Sequence, residues 1–475
     1  MAKSRKYIIN CFLDNDSGRD VEILLPIIVF AENHLNCKVN FRFLWDFHSL
    51  NRDQPDLVLL PNVRGHHLYV ELARICHQHN IPVFAHESEG NFRTDGSYEY
   101  WGYNFHQQFF QDWVCCWSER TRKFLIDLKP EESAKIVYTG APGFDRYLFG
   151  KFADREKLLK KWNKDGFKRV IGYAGWAFGR MYGRDRDTSL LHIHPDKEVR
   201  FQWAENQRKF VEGVLEQTIQ KHPDTLFILK RHPKEIFEHE TEQVKNEMNG
   251  LLHYHNVIYL INEEPIHDLI AISDIWTGFE TTTCMEAWLL GKPTILINQE
   301  VDFVRTEVYK GSPIANDATQ LHQMIDEFYQ TGAIAAMEQN GLPEARKKVY
   351  DVAIGGSDGF NHIRSAFYLK QSLEQIFVKK EKSRIKIGAY FILFYYFYHL
   401  VKHFYYRPLF AKLPKLKKTL FIFEKWRLTD IHQRKAEIAT YTESYYQRSH
   451  ITPVKVESDA WWEQFIPAPI NKLIK

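Results

Sequence analysis

The stretch IWTGFETTTCMEAWLLGKPTILI, residues 275–297, reads as a strand, a polar turn, a helix and a second strand. Its apolar run ends at Gly278, where the missing side chain lets the backbone turn sharply. Thr281, Thr282 and Thr283 follow. Threonine is poor inside a helix and good at its start, where its hydroxyl meets open N–H groups. Residues 285–290 supply the helix body, Gly291 can end it, and Pro293 stops it continuing. The order is that of a βαβ unit. Its turn has two readings: a well-capped helix, or a helix start whose N–H groups and hydroxyls hold an anion.

The same rhythm extends outward. Strands are expected at 6–13, 39–44, 55–61, 81–86, 113–117 and 135–139, with helices at 21–35, at 67–79 and from Glu119. Such alternation predicts a parallel sheet with helices on both faces, and ligands beyond the carboxyl ends of its strands. Asn163-Lys164-Asp165-Gly166 reads as a linker, and the pattern restarts at 169–173. The fold class is therefore α/β with two Rossmann-like domains, 1–165 and 166–378, followed by a basic, aromatic, helical extension at 379–475.

Several strand ends carry chemistry. His86-Glu87-Ser88-Glu89-Gly90 follows one strand. If extended, it places Glu87 and Glu89 on one side, where like charges raise each other's pKa as a general base requires; a solvated loop is the alternative. Residues 97–110, rich in Tyr, Trp, Asn, His and Gln, suit either an acceptor sugar or domain packing. The loop Ala174-Gly175-Trp176-Ala177-Phe178-Gly179 can approach a phosphate closely, although it is neither a GxGxxG nor a Walker loop. Lys230-Arg231-His232-Pro233-Lys234 gathers four cationic groups, with Pro233 fixing the turn and His232 able to donate to a phosphate. A basic surface turn is the alternative. Together these give a nucleotide-binding set: Gly175, Arg231, His232, Pro233, Gly278, Glu280, Thr281, Thr282, Thr283 and Glu286.

Composition narrows the class. A net charge of +3 over 475 residues creates no field for a polyanion, so nucleic acid is not an expected partner. Six cysteines without a CxxC pair suggest reduced thiols and no zinc site, and a cytoplasmic location. The first residues read as a strand rather than a secretory signal. Residues 379–418 hold eleven Lys or Arg and one acid, Glu381. Within them, 385–406 is aromatic and interrupted by Lys386, His399, Lys402 and His403. That pattern predicts a monotopic anchor on an anionic membrane surface, peripheral on the inner face of the plasma membrane. A packed helix with a basic face is the alternative. Beyond Trp426 the chain turns polar, with Trp461-Trp462 near its end. Cutting after about Phe377 is thus expected to free the protein from membranes and spare the nucleotide site.

Glu87-Ser88-Glu89-Gly90, His232-Pro233 and Thr281-Thr282-Thr283 come in an order that resembles GT-B-fold bacterial glycosyltransferases using CMP-sugars, the sialyltransferases and Kdo transferases. It also resembles the bacterial surface-carbohydrate biosynthesis proteins. The likeness covers residues 1–375, and Ser88 departs from the pattern by separating the two acids. Residues 274–293 are similar, too, to teichoic-acid polymerases that use CDP-glycerol. The resemblance implies two Rossmann-like domains facing a cleft, the first for the acceptor and the second for the nucleotide-sugar donor. Glu89, or else Glu87, would be the base, while His232 and the threonines would stabilise the leaving phosphate. It implies a CMP-linked ulosonic acid donor and a surface-glycan or lipid-linked acceptor, as in capsule or lipopolysaccharide synthesis. No metal and no further cofactor is implied. The alternatives are a glycerol- or ribitol-phosphate transferase, a non-catalytic scaffold of glycan export, and a UDP-sugar epimerase, which shares the fold.

Overall fold

The computed structural model describes residues 6–16, 18–63, 67–91, 109–178, 196–232, 247–261, 263–279, 281–299, 310–376, 384–405, 428–453 and 459–466. It divides into two compact units, one of residues 1–93, 101–150 and 352–475, the other of 94–100 and 151–351. The main boundaries fall at 150/151 and 351/352, and the Asn163-Gly166 linker signal lies inside the second unit.

The first unit begins β1 (Tyr7–Leu13), α1 (Arg19–His34), β2 (Cys37–Phe43), α2 (Ser49–Asp53), β3 (Leu57–Leu60), α3 (His67–Gln78), β4 (Val83–His86), β5 (Trp113–Cys116), α4 (Glu119–Leu128), β6 (Ile136–Tyr138) and α5 (Pro142–Phe149). Its six strands lie in the order β2-β1-β3-β4-β5-β6, every pair parallel. β3 and β4 are buried along their whole length, which is why they read as short continuous apolar runs rather than alternating ones. The order reverses between β1 and β3, and such a switch point opens a crevice at the carboxyl ends of the strands.

The second unit repeats the plan with α6 (Arg155–Lys161), β7 (Arg169–Ala174), α7 (Lys197–Lys221), β8 (Thr225–Lys230), β9 (Val257–Leu260), α8 (Ile266–Ile272), β10 (Ile275–Gly278), α9 (Thr283–Leu289), β11 (Thr294–Ile297), β12 (Ile314–Ala315), α10 (Ala318–Thr331) and α11 (Leu342–Ala353). Its parallel order is β12-β11-β10-β7-β8-β9, with the switch point between β7 and β10. Helix starts are set locally. The carboxylates of Asp154, Asp196 and Asp317 each accept a backbone N–H of the first turn, at 2.8–3.0 Å. The stretch 275–297 is β10, α9 and β11, as its sequence predicts.

The chain then returns to the first unit through α12 (Asn361–Ile376), α13 (Ala389–Tyr405), α14 (Leu428–Arg448) and α15 (Asp459–Glu463). Helix α14 lies along α1 and buries Ile431, Ile438, Thr442 and Tyr446. Two ion pairs fix it there, Arg434 to Glu22 at 2.7 Å and Lys435 to Glu32 at 2.6 Å. Trp461 and Trp462 are buried against Phe30 of α1, with ring centroids 6.0 and 5.8 Å away. A buried chain of hydrogen bonds closes the joint. His362 Nδ1 lies 2.8 Å from Asp145, and its Nε2 lies 2.5 Å from the Tyr446 hydroxyl. Burial pushes the Asp145 carboxyl above its ordinary pKa. Helices α14 and α15 therefore complete the core of the first unit, so a cut after about Phe377 removes part of that core as well as α13.

Candidate functional site

In the second unit three strand ends meet at the switch point. Gly175, just past β7, donates its N–H to the Lys230 carbonyl at 2.8 Å. A Cβ on Gly175 would stand 2.9 Å from Glu247 Oε2, 3.1 Å from the Lys230 carbonyl and 3.3 Å from the His232 nitrogen. Glycine is thus what lets the turn after β8 close over the end of β7. On the other side of β7, a Cβ on Gly278 would meet the Thr281 methyl at 2.4 Å and the Ala174 carbonyl at 3.5 Å. Gly175, Arg231, His232, Gly278 and Thr281 accordingly share one edge of one sheet. Arg231 is held by its N–H on the Leu260 carbonyl at 2.9 Å. Pro233, Lys234, Gly179 and Glu280 lie outside the described residues, as do residues 97–108 and most of the basic residues of 379–418.

The threonines cap their own helix. The Thr281 hydroxyl accepts the Thr283 N–H at 3.3 Å and lies 3.0 Å from the Thr283 hydroxyl, which accepts from Trp276 Nε1 at 2.8 Å. Thr282 is the N-cap residue but makes no side-chain cap, and Glu286 is buried in the first turn of α9. The structure thus shows the capped helix start, with Thr281, Thr282 and Thr283 partly exposed at the edge.

The loop from Gly175 to Phe178 holds an anion of the protein's own. The buried Glu247 carboxylate accepts from the Tyr173 hydroxyl at 2.8 Å, from the Trp176 N–H at 2.9 Å and from the Ala177 N–H at 3.0 Å. Ala177 takes a left-handed φ of 67°, uncommon for a residue with a side chain. These two N–H groups therefore serve Glu247; among the described residues the His232 turn and the threonines bring further donor groups to this edge.

The first unit carries carboxylates at its own switch point. Asp14 follows β1, Asp20 opens α1, and Glu89 lies in the turn after β4. Asp20 lies near Asp14 and near Ser88, whose hydroxyl donates to Asn62 Oδ1 at 3.2 Å. Burial first, then the Asp14 charge, push the Asp20 carboxyl up to about 7. Glu89 pairs with Arg19. Its expected companion goes elsewhere: the Glu87 carboxylate is buried and accepts the Val63 N–H at 2.9 Å. The segment is a turn at Ser88 and Glu89, not an extended strand, so Glu87 and Glu89 have separate partners. His86 is also buried, with Nε2 3.1 Å from the Thr139 hydroxyl, and burial lowers its pKa to about 4. Asp20 is the residue that sequence reasoning passed over. The signal was its place, in the loop-to-helix junction after the first strand.

No protein-family model and no curated protein matches the chain. Solved structures do. One is a UDP-N-acetylglucosamine 2-epimerase from Listeria monocytogenes, with 12% identity, TM-score 0.50, and 81% of this chain and all of that one covered. A second UDP-N-acetylglucosamine 2-epimerase gives 14% identity over the same shares, also with TM-score 0.50. A glycosyltransferase from Rickettsia africae gives 15% identity and TM-score 0.44 over 79% of this chain and all of that one. The fold is of the GT-B type. Both GT-B units here keep their polar groups at the carboxyl ends of their strands, donors in the second and carboxylates in the first.

Proposed function

We propose that the protein is a glycosyltransferase that takes its sugar from a nucleotide-activated donor. The observation that carries this reading is the switch-point edge of the second unit, where Gly175, Arg231, His232, Gly278 and Thr281 converge. In this reading the donor phosphate lies against His232 and the threonine hydroxyls. The acceptor hydroxyl oxygen attacks the anomeric carbon as the bond from that carbon to the phosphate oxygen breaks. The electron pair leaves on the phosphate, where His232 and the hydroxyls stabilise the added charge. The acceptor proton passes to a carboxylate acting as base. We assign that role to Asp20, with Glu89 beside it; Glu87 is tied to the Val63 N–H. Protein donors alone serve the leaving group in this scheme.

The donor we propose is a CMP-activated ulosonic acid and the acceptor a surface glycan or its lipid-linked precursor, on the strength of the sequence resemblance. A UDP-sugar is the second reading, favoured by the two epimerases of like fold. The products separate the alternatives. Release of CMP from a CMP-sugar supports the first, and cleavage of CDP-glycerol supports a polyol-phosphate transferase. Epimerised sugar released from a UDP-sugar without an acceptor supports an epimerase. Within the first reading, His232→Ala is expected to lower turnover about tenfold or more, which is about 1.4 kcal/mol of transition-state stabilisation. Wild-type rates in a folded His232→Ala protein would remove His232 from the mechanism.

A further inference from the structure

Helix α13, AYFILFYYFYHLVKHFY, contains no acid and carries an aromatic side chain on more than half its residues. One face is anchored to the first unit. The Asn51 side chain brackets the backbone just ahead of the helix, accepting the Ile385 N–H at 2.9 Å and donating to the Ile385 carbonyl at 3.0 Å. Phe391 stacks on Phe47 and Phe394 on Trp45, with centroids 4.3 and 4.0 Å apart. Arg52 donates to the Tyr395 hydroxyl at 3.3 Å.

The opposite face is largely exposed among the described residues, with Tyr390 at its margin tilted against Trp45, ring centroids 6.5 Å apart. Tyr390, Leu393, Tyr396, Phe397 and Leu400 are 61, 69, 61, 53 and 56% exposed. Their spacing places them on one side of the helix, so they form a continuous patch rather than the scattered apolar residues of an ordinary surface. Charge says what covers it. Of the chain's 63 Lys and Arg, eleven lie in residues 379–418, with one of its 60 acids, so the rest of the protein is net acidic. Arg384 and Lys386 are exposed just before the helix. Among the described residues no helix is long and apolar enough to cross a membrane. Tyrosine and phenylalanine with flanking basic groups prefer the boundary between headgroups and acyl chains.

We propose that this face seats in the interface of an anionic lipid bilayer, with α13 lying in the membrane plane and the first unit fixed behind it. The inference stands apart from the enzymatic reading. Its test uses the full chain and vesicle flotation. Wild type is expected to float with phosphatidylcholine vesicles containing phosphatidylglycerol, to bind pure phosphatidylcholine far less, and to be released by salt. The double variant Leu393→Glu/Phe397→Glu is expected to lose about tenfold or more of this binding, with its thermal midpoint kept, because both side chains are exposed. Three results would overturn the proposal: no flotation of wild type, equal flotation on both lipids, or a variant that floats like wild type. A lipid-free dimer of wild type that the double variant abolishes would assign the face to a second copy of the chain and overturn it too.

Discussion

A chain ending at residue 427 is expected to fail to fold its first unit. The cut removes α14 and α15, and with them Ile431, Ile438, Tyr446, Trp461, Trp462, Phe465 and Ile466, all buried. Those side chains cover the face of α1 that carries Phe30 and leave His362 and Asp145 dry. Removing them exposes that face and strips the His362–Asp145 pair of Tyr446. The loss exceeds what a unit of ordinary stability holds in reserve, about 5–15 kcal/mol. A single substitution gives the measurable increment: Trp462→Ala is expected to cost about 3–5 kcal/mol, the usual range for emptying a buried tryptophan site. Denaturant unfolding followed by far-ultraviolet circular dichroism checks both. A truncated chain with an unchanged cooperative transition would show that the tail only decorates the unit.

The second large effect is expected at Asp20. In the proposed scheme Asp20 takes the acceptor proton, a role worth about 10²–10⁴ in rate, so Asp20→Asn is expected to lose that much turnover. The acidity of the carboxyl adds a signature. Held up to about 7, Asp20 is mostly protonated below neutrality and unable to accept. Wild-type kcat/KM should therefore fall with decreasing pH below about 7 and level off above it. The sign for stability runs the other way. A carboxyl whose folded pKa is raised favours folding when protonated, and this contribution is full below its ordinary value and lost as pH rises through about 7. Asp20→Asn should thus match wild type in stability at pH 4 and exceed it at pH 8. An active Asp20→Asn protein with the wild-type pH profile would move the role to Glu89, which Glu89→Gln then tests.

The two sheets could be read in the sequence because fully buried parallel strands announce themselves as short apolar runs between helical segments. Residues 275–297 carried that reading furthest, since Gly278, the threonines and Pro293 punctuate every junction. The acid cluster was only half visible. Glu87 and Glu89 look paired if the chain is extended, but a turn at Ser88 and Glu89 sends one to the Val63 backbone and the other to Arg19. Asp14, in the loop after β1, and Asp20, in the first turn of α1, look like ordinary solvated acids until the switch point brings them near Ser88. Glu247 shows the same limit: nothing near it in sequence says that it will fill the N–H groups of the 175–178 loop. Helix α14 escaped notice because its buried stripe is narrow, Ile431, Ile438, Thr442 and Tyr446 within a polar helix of 21 residues.

The decisive property is nucleotide binding by the second unit. Thermal unfolding of wild type, His232→Ala and Thr281→Val, each with CMP, CDP, UDP or GDP, reads it out. A ligand at a hundred times its Kd stabilises the native state by about 2.7 kcal/mol, enough for a clear rise in Tm. Cytidine nucleotides are expected to raise the Tm of wild type, and both substitutions to diminish the rise. A rise with UDP alone would replace the donor and keep the site. No rise with any nucleotide, or a rise that neither substitution changes, would contradict the assignment of the Gly175, His232 and Thr281 edge as a nucleotide-phosphate site.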